Sequence, residues 1–262
     1  MSITVVTITR NRPGLLARAI RSVAAQERVD RVEHLVVVDD CAPTFAFLRH
    51  RRSLPDNLRW IVVSRSAGEV SGPGRSSRLR NLAVRVSEAE WIAFLDDDNE
   101  YTPDHLASLL ARARATGCRA VHSHLVMLNQ DGSPYLEQRS PWSREEAEGR
   151  AEYARMLAAG VVSVGSCVRR DRLDPLDVPD PVVSVDTGEW LLARELLLEV
   201  PFRDEFDADD AARSIGEDDK FARDLQARGE PVACTGKPTL RYYLGGYSNN
   251  FSVPFDSTFS WC

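Results

Sequence analysis

Residues 91–104 read WIAFLDDDNEYTPD, and this stretch decides the architecture. Trp91–Leu95 is a short apolar run with no polar alternation, as expected of a strand covered on both faces. It ends abruptly in Asp96-Asp97-Asp98. Thr102-Pro103-Asp104 then reads as a helix start, with Thr102 as N-cap and Pro at the first helical position, and the helix is expected to run to about Thr116 and stop at Gly117.

Working outward, the same grammar repeats. Ile3–Thr9 is β-branched, RNRPG punctuates it, and Leu15, Leu16, Ala19, Ile20 and Val23 follow at helical spacing. Leu35–Val38 is a second doubly buried strand ending in Asp39-Asp40, Trp60–Val63 a third, and Arg75 to Val86 a helix. Alternating strands and helices imply an α/β domain with a mostly parallel central sheet flanked by helices. Ligands of such sheets sit beyond the carboxyl ends of the strands, where both acidic clusters fall.

The second half is less regular. Arg119–Leu128 is expected to be a strand, Ser143 and Glu146 a capping box for a helix to about Ala159, and Val161–Val168 a strand. Trp190, Leu191, Leu192 and Leu196–Leu198 read as one helix, and Glu217 to Arg228 as another, stopped by Gly229. No linker divides the chain. It is expected to form one domain, with residues 1–117 as one half, 118–240 as the other, and 241–262 as an aromatic-rich tail or lid.

Composition removes whole classes. With 262 residues, 43% hydrophobic and 27% charged, the chain is neither disordered nor fibrous. A net charge of −6 argues against a nucleic-acid coat. Only Lys220 and Lys237 are lysines, and neither follows a glycine loop as a phosphate-binding P-loop requires. No GxGxxG is present. The opening residues lack a signal-peptide core and no apolar run reaches membrane-spanning length, so a cytoplasmic protein is expected. Five dispersed cysteines without CxxC read as reduced thiols, not a zinc site. His122 and His124 share a strand face and, without a third ligand at sensible spacing, read as structural or pocket-lining.

Three constellations carry chemistry. Asp96-Asp97-Asp98 places three carboxylates together, which repel unless a positive charge is present; a hard divalent cation, Mn²⁺ or Mg²⁺, suits such oxygen ligands. The bland alternative is a solvated acidic turn. Gly68–Gly74 leading into Arg75, Arg78 and Arg80 can hold a diphosphate through backbone N–H groups and guanidinium forks, or be a surface loop. Gly216-Glu217-Asp218-Asp219 at a helix start favours an ionised carboxylate able to accept a proton, or is ordinary N-terminal acidic enrichment.

Together these stretches resemble the family 2 glycosyltransferases of the GT-A fold: VVTITRNRPGLLARAIRSVAAQ at the start, the VVVDD strand end, RLRNLAV, FLDDDNEYTPDHL and GEDDKF. The resemblance covers about the first 115 residues and, less fully, residues 188–228. It implies an inverting transferase that moves a sugar from a nucleoside-diphosphate sugar to an acceptor hydroxyl, with UDP favoured and dTDP or GDP open. It also implies a Rossmann-like sheet with a smaller acceptor-side region. Thr9, Arg10 and Asn11 would border the base, Asp39 or Asp40 the base or ribose, and Arg75 the diphosphate. Asp96 and Asp97 would face the nucleotide, with Asp97 on the ribose side, and Asp98 would ligate the metal. Asp218 would be the general base, with Glu217 orienting the acceptor or sharing that role. Trp190 and Glu189 are candidates to border the acceptor, with Trp190 able to stack on a sugar ring or a flat aglycone, or as easily to be core. The chain departs from the family in having Arg10 where an aromatic is frequent, and Arg241, Tyr242 and Tyr243 where some members carry a histidine. A non-catalytic nucleotide-sugar-binding protein and a sugar-phosphate nucleotidyltransferase are the competing readings, and a homodimer is compatible with all three.

Overall fold

The computed structural model describes residues 1–51, 54–69, 71–246 and 249. Most of the expected tail, residues 247, 248 and 250–262, lies outside the described residues.

The first half follows the expected alternation: β1 (Ser2–Thr9), α1 (Pro13–Ala24), β2 (Arg31–Asp39), α2 (Ala42–His50), β3 (Leu58–Val63), α3 (Pro73–Val86) and β4 (Trp91–Phe94). β5 (Glu100–Tyr101) and α4 (His105–Thr116) follow, then β6 (Ala120–Leu128), α5 (Glu146–Ala158) and three two-residue strands, β7 (Val168–Arg169), β8 (Arg172–Leu173) and β9 (Val183–Ser184). The chain closes with β10 (Trp190–Ala193), α6 (Arg194–Glu199), α7 (Ala208–Ala212), α8 (Glu217–Ala227) and β11 (Val232–Tyr243).

The main sheet has the order β3-β2-β1-β4-β10-β6-β11-β5, with β7 on β6. β1, β2, β3 and β4 are mutually parallel, as are β6 and β11, whereas β10 runs antiparallel between β4 and β6. Alternate residues therefore feed two cores. Ile3, Val5, Ala93, Val121 and Leu191 face α1 and α4; Val6, Leu35, Ile92, Trp190 and Leu192 face α3, α6 and α8. Gly74 fixes how α3 docks: a Cβ there would lie 2.5 Å from the Asp204 carbonyl oxygen.

Four local expectations are corrected. Thr102-Pro103-Asp104 forms a turn, with the His105 N–H donating to the Thr102 carbonyl at 3.1 Å, and α4 starts only at His105. Ser143 caps nothing, because its hydroxyl donates to Glu152 at 2.7 Å. Residues 161–168 do not form a strand; Val161 and Val162 are buried as irregular chain beyond α5, and only Val168 joins β7. The apolar run from Trp190 is not one helix but strand β10 followed by α6. Three consecutive buried apolar residues, Trp190, Leu191 and Leu192, fill both faces of a central strand, and helical and strand readings of so short a run coincide. Among the described residues no helix is long and apolar enough to cross a membrane.

Candidate active site at the carboxyl edge of the sheet

β1, β2 and β4 end side by side, so Thr9, Asp39 and Asp96–Asp98 open onto one edge. Asp39 is held by two arginines. Arg75 donates from Nε at 3.0 Å and from Nη2 at 2.8 Å, and Arg65 donates from Nε at 3.2 Å and through a second bond from Nη2. Burial pushes the Asp39 carboxyl up, but these two guanidinium groups outweigh it and hold the group below its ordinary value. The remaining donors of Arg75 meet Glu69 at 3.2 Å and the carbonyls of Val63 and Ser64. Arg75, expected at the diphosphate, therefore anchors Asp39 in this structure.

Arg10 lies flat across the β2 terminus, donating to the Asp39 and Asp40 carbonyls at 2.6 and 2.7 Å. Asn11, at φ +53°, directs its N–H to Thr44 Oγ1 and Cys41 Sγ, so the chain turns tightly out of β1. Asp40 turns out at φ +44° and is exposed.

The acidic triplet splits by alternation. Asp97 turns inward with no exposed side-chain surface, beside the Thr9 hydroxyl and 2.6 Å from Arg12. Burial first, and then the neighbouring Asp98, push it up to about 7 against the pull of Arg12. Asp97, expected on the ribose side, is thus sealed beneath the edge in this structure. Asp98 meets Arg12 at 2.8 Å, its carbonyl accepts from Arg18, and that guanidinium lies 3.7 Å from the centre of the Tyr243 ring. Asp96 is the most open of the three and accepts from Arg80 at 3.2 Å.

Arg80 is the link to the second half. It also binds Glu217, the first residue of α8, and so ties the end of β4 to the α8 N-terminus. Asp218 follows in that first turn, where Asp219 caps the Gly216 N–H at 2.9 Å. At Gly216 a Cβ would lie 2.4 Å from Asp218 Oδ1, so a side chain there would push the Asp218 carboxylate aside. Burial, then the charges of Asp219, Glu217 and Asp186, raise the Asp218 carboxyl well above its ordinary value.

Asp186 had no place in the sequence reading. It precedes β10, and because β10 is antiparallel its starting end lies at the carboxyl edge of β4. Burial and the charge of Asp96 push it up to about 7. Glu189 and Trp190, expected at the acceptor, are instead sealed in: Glu189 is fully buried, accepts from the Asp186 N–H at 3.0 Å and is raised by burial and by Asp171. The Trp190 ring packs against His122 and Phe221 in the core. Neither offers a face to a ligand.

The structure thus brings together Thr9, Asp39, Asp96, Asp98, Glu217 and Asp218 on one edge, and adds Arg12, Arg18, Arg65, Arg80 and Asp186. Arg80 stands out in the sequence only as part of the glycine- and arginine-rich stretch, and Arg12, Arg18 and Arg65 carry no local pattern; only the density of acids at the strand ends signals that cations must come from somewhere.

This arrangement agrees with comparisons to known proteins. The sequence profile described as "Glycosyl transferase family 2" matches residues 4–174. The succinoglycan biosynthesis protein ExoO of Rhizobium meliloti (strain 1021) is 34% identical over 133 residues, covering 50% of this chain and 35% of that protein. The galactofuranosyltransferase GlfT1 of Mycobacterium tuberculosis (strain ATCC 25618 / H37Rv) is 27% identical over 203 residues, covering 75% of this chain and 64% of that one. Among solved structures, S. aureus TarS 1-349 in complex with UDP superimposes with a TM-score of 0.61 at 17% identity, covering 93% of this chain and 61% of that one. The mannosyltransferase PcManGT from Pyrobaculum calidifontis, in complex with GDP-Man and Mn²⁺, gives 0.58 at 17% identity, covering 94% and 58%. The chain spans between about a third and two thirds of the curated relatives' length. It belongs to glycosyl transferase family 2.

Proposed function

We propose that this family 2 glycosyl transferase moves a sugar from a nucleoside-diphosphate sugar to an acceptor hydroxyl, with inversion at the anomeric carbon. The observation that carries the proposal is the Arg80 bridge, which fixes the α8 start, with Asp218, against Asp96 at the end of β4. Relatives and neighbours support a nucleotide-sugar donor, since the compared structures hold UDP, UDP-GlcNAc or GDP-Man.

The base and ribose would lie over Thr9 and Asp39, whose carboxylate is kept ionised by Arg65 and Arg75. Asp40, exposed beside it, is the second candidate for a ribose hydroxyl. A divalent cation fits the triplet's chemistry: the donors are hard oxygens, and their need for positive charge is visible in Arg12, which spans Asp97 and Asp98. Asp98, with Asp96 beside it, would hold Mn²⁺ or Mg²⁺, and the bound ion would supply charge against the departing diphosphate.

Asp218 accepts the proton of the acceptor hydroxyl as its oxygen bonds to the anomeric carbon and the bond to the diphosphate breaks. A single displacement inverts the configuration. A carboxyl raised towards neutrality is a stronger base than an ordinary aspartate, while the α8 dipole still favours its ionised form. Glu217, held by Arg80, positions the turn that presents Asp218. Asp218→Asn should lower transfer by about 10²–10⁴-fold with nucleotide binding intact. Residual transfer close to the native rate would remove Asp218 from this role.

A further inference from the structure

We infer that His122, His124 and Cys234 form a binding site for a soft, nitrogen- and sulfur-preferring metal ion, Zn²⁺ above all, separate from the acidic triplet. One ligand atom from each of the three lies within 4.8 Å of the others. The topology explains the meeting. β6 and β11 are parallel neighbours in which Cys234 pairs with His122 and Pro238 with His124, so all three side chains leave the sheet on one face. The register slips between Cys234 and Pro238, and this bulge draws Cys234 Sγ to 3.7 Å from His124 Nε2 and 3.8 Å from its Nδ1.

Two further features prepare the donors. His122 Nδ1 is 2.8 Å from the Ser123 carbonyl, an acceptor only, so Nδ1 carries the proton and Nε2 presents its lone pair. Ligating histidines are commonly oriented by such a bond. Gly236, at φ +70°, turns its N–H onto Cys234 Sγ at 3.3 Å, and a donor to sulfur favours the thiolate a metal requires.

A thiolate with two imidazoles selects Zn²⁺ or a similar ion over the hard cations suited to Asp98. Across β6 and β11 the ion would pin the bulge in place.

The test is a Co²⁺ titration of the reduced, chelator-stripped protein, read by the thiolate-to-cobalt charge-transfer absorption in the near ultraviolet. We expect the band to saturate at about one equivalent. It should be displaced by Zn²⁺, persist in Asp98→Ala and vanish in Cys234→Ser. His124→Gln, which leaves the thiol in place, should weaken binding about tenfold or more, and circular dichroism verifies that each variant is folded. Cobalt taken up without the band, a band unchanged in Cys234→Ser, or binding only at millimolar metal would each overturn the assignment.

Discussion

Arg12 is the residue on which the acidic triplet depends when no cation is bound. Its guanidinium reaches both Asp97 and Asp98, and without it two carboxylates, one of them sealed from water, would face each other unneutralised. Arg12→Gln should therefore destabilise the metal-free protein and enlarge the stabilisation that Mg²⁺ or Mn²⁺ confers. Thermal denaturation with and without the cation measures both, and an unchanged cation effect would show that Arg12 and the ion do not answer the same charge. Asp39 is a comparable case. Arg75→Met leaves a buried carboxylate with Arg65 alone, so the loss should be about 2–3 kcal/mol in denaturant unfolding, below the 3–5 expected when a buried charge loses its sole partner. A loss within experimental error of zero would mean that Arg65 holds Asp39 unaided.

At the scale of elements, the strand that matters most is the one the sequence concealed. β1, β2 and β4 are legible because each is an apolar run bounded by a turn signal, and the acidic ends of β2 and β4 point to the candidate site. β10 is not legible, because WLLA continues into RELLLE and the whole stretch satisfies a helical period. That misreading hid Asp186 and placed Trp190 and Glu189 at the acceptor. The ion pairs of Arg12, Arg65, Arg75 and Arg80 were equally out of reach, since pairing between residues so far apart leaves no local pattern. The Gly216-Glu217-Asp218 start was legible, because α8 has the acidic first turn and amphipathic face that sequence reading relies on. With β10 a core strand, Trp190→Ala should cost about 3–5 kcal/mol in stability. Any effect on transfer should track the folded fraction. Loss of acceptor affinity at full stability would contradict its core placement.

At the scale of the whole molecule, the cluster of raised carboxyls at one edge should mark the pH dependence of stability. Asp186 has a folded pKa of about 7, above its ordinary value, so the folded state binds the proton more tightly than the unfolded chain. Its contribution is fully present below about pH 4 and is lost as pH rises towards about 7. The buried histidines work in the opposite sense over an overlapping range: His34 and His105, both lowered to about 3 by burial, favour folding increasingly as pH rises towards 6.5. A difference measurement separates them. Asp186→Asn keeps the cap on the Gly188 N–H, and its stability relative to the native chain should improve by about 1–2 kcal/mol between pH 4.5 and 7.5. A constant difference across that range would show that Asp186 does not titrate as its surroundings require.

The edge joining β1, β2, β4 and α8 is proposed as a cation-dependent nucleotide-sugar site. The most direct test is thermal stability in UDP, dTDP or GDP, each with and without Mn²⁺ or Mg²⁺, on the native chain and on Asp98→Ala. A ligand at 100 times its Kd stabilises the folded state by about 2.7 kcal/mol, well within measurement. A cation-dependent shift with one nucleoside diphosphate, lost in Asp98→Ala, is expected. No shift with any nucleotide, or a shift equally large in the variant, would contradict it.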